Sequence, residues 1–259
     1  MSFTVVQLSD CHLLATKEER LLGLQTHVTF EQVLAQCLSE HTHIDLMVFS
    51  GDISNTLDIA PYECIQSCLP KNIETLWMPG NHDECELMLK VFGDNCLTHK
   101  QLGNWQITAL NSQVVGKVHG HVSETELARF TQHIEEHPNQ YHAAFLHHQL
   151  LPVGSAWIDA INVDNAESVL KTLETYPQIK WLANGHVHQA STSKHGHFAL
   201  YSTPSTCFQF LPNSPDFALD IEAMPGYRSF TLFDNGEFET QVHRLPQADL
   251  GIDKNANGY

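Results

Sequence analysis

Residues 73–83 read Ile73-Glu74-Thr75-Leu76-Trp77-Met78-Pro79-Gly80-Asn81-His82-Asp83, a β-type apolar run that stops at Pro-Gly and delivers a polar triad. The same grammar recurs four times. Phe3 to Leu8 leads into Ser9-Asp10-Cys11-His12, and Leu46 to Phe49 into Ser50-Gly51-Asp52. Ala143 to Leu146 leads into His147-His148, and Ile179 to Ala183 into Asn184-Gly185-His186-Val187-His188. Each run has the length and residue types of a buried strand. Together the strand ends supply two carboxylates, one amide and several imidazoles, the donor set of a paired-metal centre.

Helical patterns lie between these strands. Thr29 to Leu38 places Phe30, Val33, Leu34, Cys37 and Leu38 at helical spacing, and Thr29 with Gln32 predicts a capping box. Ser123 with Glu126 repeats that signature, and Glu84 to Phe92 and Asn165 to Tyr176 also read as helices. Strands alternating with helices predict an α/β fold, in which ligands bind beyond the C-terminal strand ends. From Phe198 the pattern turns to short strands, with Arg228 to Phe233 and Phe238 to His243 forming a hairpin around Asp234-Asn235-Gly236. This segment is expected to complete a second sheet. Residues 1–259 read as one domain, with 247–259 a polar C-terminal tail.

The bulk composition, 42% hydrophobic and 17% charged over 259 residues, is that of an ordinary globular chain. Its formal charge of −17 argues against a nucleic-acid partner, whose backbone is bound through Lys and Arg. No apolar run reaches the ~18–20 residues needed to span a membrane. No secretory signal is read at the N-terminus, where Asp10 interrupts the apolar stretch. Seven scattered cysteines read as reduced thiols, so a cytoplasmic location is expected. Cys11 reads as a core filler, and Cys64 with Cys68 as core on a helix without nearby histidines. Oligomeric state is not legible.

With 18 histidines in the chain, any one His-x-His pair reads as a solvated turn. His41-His43 precedes a strand, His195-His197 sits at a turn, and His119-His121 follows its strand only after a loop. Only His186-His188 follows a buried-type strand directly, through a glycine. Asp10 and His12, two apart on an extended chain, would face one side. A carboxylate at Asp52, ending an apolar strand, must be paired, metal-bound or solvated in a cleft. Asp83 reads equally as a helix-start residue.

The ordered set Asp10-x-His12, Gly51-Asp52, Gly80-Asn81-His82-Asp83, His147 and Gly185-His186-x-His188 resembles the calcineurin-like metallophosphoesterases. Within them the chain looks most like the bacterial class III 3′,5′-cyclic-AMP phosphodiesterases. That similarity rests on Leu21-Leu22-Gly23, Asn111-Ser112-Gln113, Pro204-Ser205-Thr206-Cys207, Gly226-Tyr227-Arg228 and the Gly258-Tyr259 ending. The resemblance implies a two-sheet sandwich flanked by helices in four layers. It implies that Asp10, His12, Asp52 and His188 hold one metal, and Asp52, Asn81, His147 and His186 the other, with Asp52 bridging. The expected metals are Fe or Mn, with Zn also suited to the donors.

The implied reaction is hydrolysis of cyclic AMP to 5′-AMP by a metal-bridging hydroxide. His82 would be the general acid, and Asn81, His82 and His188 would contact substrate. His148 would be a neighbour of the site, and Gln149-Leu150-Leu151 departs from a frequent His-His-x-Pro form. Asn55 stands where phosphoprotein phosphatases carry a second Asp. Loops 13–26 and 150–164 would carry specificity, leaving other cyclic nucleotides, glycerophosphodiesters and nucleoside diphosphate conjugates as alternative substrates. A catalytically silent scaffold of the same fold is the remaining alternative.

Overall fold

The computed structural model describes every residue except 255, 257 and 259, so Tyr259 of the Gly258-Tyr259 ending lies outside the described residues. The chain opens with β1 (Ser2–Leu8), α1 (Thr26–Glu40), β2 (Leu46–Ser50), α2 (Ala60–Cys68), β3 (Glu74–Met78) and α3 (Cys85–Phe92). There follow β4 (His99–Leu102), β5 (Trp105–Ala109), α4 (Glu124–Glu136), β6 (Tyr141–Leu146), α5 (Ala156–Asp159), α6 (Ala166–Leu173) and β7 (Ile179–Asn184). The last third holds β8 (Thr192–His195), β9 (Phe198–Ser202), β10 (Gln209–Phe210), β11 (Leu219–Asp220), β12 (Gly226–Phe233) and β13 (Phe238–Arg244).

Two mixed sheets result. One has the order β13-β12-β1-β2-β3, the other β4-β5-β6-β7-β9-β8. In both, the strands that end on the polar motifs are parallel neighbours: β1-β2-β3 in the first, β6-β7 in the second. The parallel strands are apolar on both faces because both faces are covered. Val5, Val48, Leu76 and Met78 point inward to meet Ile107, Phe145, Trp181 and Ala183 of the other sheet. Their sequence neighbours Val6, Met47, Phe49 and Trp77 point outward beneath α1, α2 and α3, against Phe30, Val33, Tyr62 and Met88. On the far side Ala144, Leu146 and Leu182 pack beneath α4 and α6 against Phe130, Ile134, Val169 and Leu170. Period-two alternation thus builds four layers. Among the described residues no helix is long and apolar enough to cross a membrane.

Several expectations need correction. The C-terminal strands do not all complete a second sheet: β8 and β9 extend it, but the β12–β13 hairpin returns to pair antiparallel with β1. Since the chain's last strands complete the sheet that its first strand begins, we infer one domain. α1 starts at Thr26, a turn before the expected capping box, and Gln25 at its N-cap makes no side-chain cap. Thr29 is instead buried inside the helix, its hydroxyl donating back to the Thr26 carbonyl at 3.1 Å. The Ser123 cap does form, accepting from the Glu126 amide at 3.1 Å, while Glu126 itself turns to the Asn111 amide. α6 ends at Leu173; the Glu174 amide still reaches the Leu170 carbonyl, and Thr175 and Tyr176 follow in i→i+3 turns. Cys64 does have a histidine close by, with Sγ 3.7 Å from His27 Nδ1. The tail is anchored: Leu250 and Ile252 pack against an apolar cluster, and the Asp253 amide donates to the Leu22 carbonyl at 2.8 Å.

Four imidazoles cluster far from the motifs, and one of them, His133, makes the fold sensitive to acid. His133 on α4 lies 3.9 Å from the His99 ring, 4.6 Å from His137 and 5.8 Å from His142 by centroids. Burial, with His99 and His137 adding repulsion, pushes His133 down from 6.5 to about 4. Between those two values the unfolded chain binds a proton that the native His133 refuses, so stability falls as pH falls through that window. Melting temperature should therefore decline from about pH 7 to about pH 5, and His133→Gln should show a shallower decline. Parallel pH profiles for the two proteins would refute the assignment.

Candidate metal centre

All five strand ends meet at one edge of the sandwich, fastened by their own backbones. The Asp10 and His12 amides donate to the Gly51 and Asp52 carbonyls, each at 2.9 Å, and the Gly185 amide to the His147 carbonyl at 3.1 Å. Asp10, His12, Asp52, His186 and His188 adopt positive φ, between 44° and 64°. They are five of the eight non-glycine residues in that region among the described residues. Such conformations disfavour L-residues and persist where surroundings over-determine them. Asp10 and His12 therefore reach one side through left-handed backbone, not through the extended pitch expected of them.

The motif glycines serve close approach. A Cβ on Gly80 would stand 2.1 Å from Asp52 Oδ1, and one on Gly185 would stand 2.0 Å from Ser9 Oγ and 2.6 Å from Asp10 Oδ2. Neither position tolerates any other residue without moving a buried carboxylate or the serine beside it.

Asp10, His12, Asp52, His147 and His188 are essentially sealed from solvent, and His186 nearly so. Three imidazoles are locked from behind. His12 Nδ1 faces Asn55 Oδ1 at 3.1 Å, His147 Nδ1 the Ser50 carbonyl at 2.8 Å, and His188 Nδ1 the Phe208 carbonyl at 2.8 Å. A ring that donates from Nδ1 carries its lone pair on Nε2, the form a metal takes. Those Nε2 atoms converge. His12 Nε2 is 3.2 Å from His188 Nε2 and 3.6 Å from Asp52 Oδ2, and His188 Nε2 is 3.4 Å from Asp10 Oδ1. His147 Nε2 reaches Asp52 Oδ2 at 3.2 Å without hydrogen-bond alignment.

Four overlapping groupings at this edge could each hold a cation: Asp10, His12 and His188; His147, His148 and His186; Asp10, Asp52 and His147; and His12, Asp52 and His82. Asn81 Oδ1, His147 Nε2, His148 Nε2 and His186 Nε2 are buried without a hydrogen-bond partner among the described residues. Buried polar atoms are ordinarily satisfied. Four orphaned donors around two carboxylates fit a cation-binding site.

The protonation pattern agrees for both carboxylates and for His12, His148 and His186, but not for His147. Burial opposes charge on both carboxylates, yet His188 beside Asp10 and His147 beside Asp52 hold them below the usual carboxylate range. Burial pushes His12 and His148 down to about 3 and His186 well below its ordinary value. Burial also disfavours charge on His147, but Asp52 brings it up to about 9. Ionised carboxylates and neutral imidazoles are the forms that coordinate metals, so His147, protonated at neutral pH beside the Asp52 anion, would release that proton to a bound cation.

The structure thus brings together Asp10, His12, Asp52, Asn81, His147, His186 and His188, with His82 at their side. His82 is half-buried, its ring 4.9 Å from that of His12, and its amide donates to Asp52 Oδ1 at 2.9 Å. Asp52, Asn81, His82 and His186 line a cleft of about 190 Å³. His148 lies against His186, ring centroids 4.6 Å apart, with Nδ1 2.9 Å from Ser112 Oγ. The three decoy pairs lie elsewhere: His195 and His197 flank the β8–β9 turn, His43 pairs with Asp45, and His121 with Asp164.

Asp83 was not singled out by sequence as a positioning residue. It does not cap α3, where Glu84 holds the N-cap position. Its buried carboxylate accepts from the Ile53, Ser54 and Gly80 amides and the Tyr62 hydroxyl, all between 2.9 and 3.2 Å. Burial and the nearby Asp52 charge push it up to about 6 against those donors. Gln113 adds a clamp from above, its amide donating to the Gly80 and Asp83 carbonyls at 2.7 and 2.6 Å. The hydroxyl and amide partners are scattered in sequence, so no local signal marks them.

Asp83→Asn would replace one acceptor by a donor facing backbone N–H groups. It should cost about 1–3 kcal/mol in urea denaturation. An unchanged midpoint would show that Asp83 does not brace the two loops.

The calcineurin-like phosphoesterase family profile matches residues 3–190. The 3′,5′-cyclic adenosine monophosphate phosphodiesterase CpdA of Vibrio vulnificus is 36% identical, over 100% of this chain and 96% of that protein. Its counterpart in Escherichia coli is 34% identical over 98% of this chain and 94% of that protein. Among solved structures, a dimetal phosphatase from Danio rerio superposes with a TM-score of 0.62 at 15% identity, covering 92% of this chain and 98% of that one. GAP50, the anchor in the inner membrane complex of Plasmodium, superposes at 0.58 and 11% identity, covering 97% and 89%. The last two likenesses concern the fold alone.

Proposed function

The chain belongs to the calcineurin-like phosphoesterase family, and from that premise we propose that it hydrolyses 3′,5′-cyclic AMP to 5′-AMP at a two-metal centre. The observation that carries the reading is the convergence of two buried carboxylates with imidazole nitrogens whose far sides are already hydrogen-bonded. Full-length likeness to enzymes named as cyclic-AMP phosphodiesterases supports the substrate.

We assign Asp10, His12, Asp52 and His188 to one metal and Asp52, Asn81, His147 and His186 to the other. The N/O donor set suits Fe or Mn, with Zn also accommodated. When bound, the ions supply an activated water at neutral pH and neutralise the phosphoryl oxygens. The residues do the rest. The Ser50 and Phe208 carbonyls hold the His147 and His188 rings in the ligating tautomer. His82 lines the cleft at the edge of this set, placed by its own amide on Asp52. It protonates the departing ribose 3′-oxygen, which leaves poorly as an alkoxide. Asn81, His82 and His188 contact the phosphodiester. All seven cysteines are free thiols, which supports a reducing, cytoplasmic setting.

Metal-reconstituted protein assayed on cyclic nucleotides, linear diesters and monoesters tests the substrate. Preference for a linear diester or monoester over cyclic AMP would overturn it. Asp52→Ala should drop the metal content measured by elemental analysis from about two ions per chain to below one. Retention of both ions would remove Asp52 from the bridging role. His82→Ala should reduce cleavage of cyclic AMP by about 10²–10⁴-fold and that of a bis-nitrophenyl diester far less, since nitrophenolate needs no proton. Equal losses would dismiss His82 as general acid.

A further inference from the structure

The cleft over the ligand set has a second wall that phosphoryl chemistry does not use. Beside Asp52, Asn81, His82 and His186, the cleft is lined by Trp157, Phe210 and Phe217 with Val118, Ile158 and Ile161. Trp157 stands edge-on to Phe210, centroids 4.8 Å apart at 78°, and to Phe217 at 5.2 Å and 67°. Phe210 in turn stacks on His188 at 4.1 Å and 15°. The aromatic group therefore touches the metal-ligand set directly.

Trp157 sits on the four-residue α5, within the loop that the sequence marks for specificity. That loop is held by the residues that follow the histidine motifs. Gln149, next after His147-His148, donates to the Ile158 carbonyl at 2.9 Å, and Gln189, next after His188, donates to Ser155 Oγ at 3.3 Å. Asp159 closes the loop by accepting from the Val153 and Gly154 amides at 2.8 and 3.0 Å. The Trp157 indole N–H is sealed from solvent and has no acceptor among the described residues. Buried indole N–H groups usually find one.

We propose that this wall binds the nucleobase of the substrate, with Trp157 as the specificity-determining residue. The proposal rests on the cyclic-nucleotide reading above. A base has an apolar π face that gains by stacking on aromatic side chains. Trp157, Phe210 and Phe217 supply such faces, and none of them carries charge. The phosphodiester end of a cyclic nucleotide meets the ligand set in the same cleft, so base and phosphate are engaged by different residues of one lining.

The test compares wild type, Trp157→Ala and Trp157→Phe, each full-length and metal-reconstituted, on cyclic AMP and on the base-free methyl riboside 3′,5′-cyclic phosphate. The reacting bond and leaving group are the same in both. Wild type should favour cyclic AMP by about 5- to 100-fold in kcat/KM, chiefly through KM. Trp157→Ala should lose most of that factor in the ratio of kcat/KM on cyclic AMP to kcat/KM on the base-free substrate, with an unchanged melting temperature reporting an intact fold. Trp157→Phe should keep most of the advantage, because the stacking face remains. Equal handling of the two substrates by wild type, equal losses on both in Trp157→Ala, or a Trp157→Phe as impaired as alanine would each overturn the proposal and leave the phosphodiesterase reading standing. Wild type inactive on both cyclic substrates would overturn that reading and this proposal with it.

Discussion

The whole edge of the sandwich is organised around one buried carboxylate, Asp52. It is 1% exposed, and no Lys or Arg side chain pairs with it among the described residues. Burying an anion costs several kcal/mol unless other groups replace the lost water. Here the replacements come from three separate strand ends. The His82 amide donates to Oδ1, His147 and His12 approach Oδ2, and Gly80 leaves the space that Oδ1 occupies. β2, β3, β6 and the loop after β1 are thereby tied to a single side chain. The parallel strands bring these ends to one edge, and the α-helices on both outer faces make that strand order possible.

The same constraint explains the backbone. Ligands from five loops can crowd together only if the chain turns sharply after each strand and leaves no Cβ in the way. The turns are made by Asp10, His12, Asp52, His186 and His188 in left-handed conformations, and the space comes from Gly80 and Gly185. Strain and chemistry thus sit on the same residues, as expected where structure is spent on a site and not on stability. Asp83 and Gln113 hold this arrangement from outside, without facing a ligand position themselves.

This division accounts for what the sequence disclosed. The strands that carry the motifs were legible because their apolar runs are continuous and end abruptly, and the ligand candidates because they sit at those ends. The β12–β13 hairpin was legible from its Asp234-Asn235-Gly236 turn, but its partner was not. Pairing with β1 is a contact across more than two hundred residues, and local pattern carries no information about it. The Thr29 capping signature failed for a related reason: Thr26 and Thr29 are buried, and packing of α1 against the sheet moved the helix start upstream of the local signal. The bracing roles of Tyr62, Gln113 and Asn55 escaped notice because each acts through side-chain hydrogen bonds to groups distant in sequence. Trp157 escaped because a tryptophan in a loop reads the same whether it packs a core or walls a cleft.

The charge balance gives the centre its selectivity for a loaded state. The chain carries a formal charge of −17, and the cleft lining contains no Lys or Arg among the described residues. Asp52 itself faces the cleft, so the protein alone would repel a phosphodiester. Attraction must come from cations held by the buried donors, which convert a negative recess into a positive one. Metal occupancy and substrate affinity are then a single linked quantity, and a chain with this fold but without the donors has no means of holding the anion. The sandwich is shared at low identity with a dimetal phosphatase and with GAP50, so function must be argued from the site and not from the fold. In this chain seven candidate donors, three of them imidazoles locked from behind, and an aromatic wall gather where the strand ends meet.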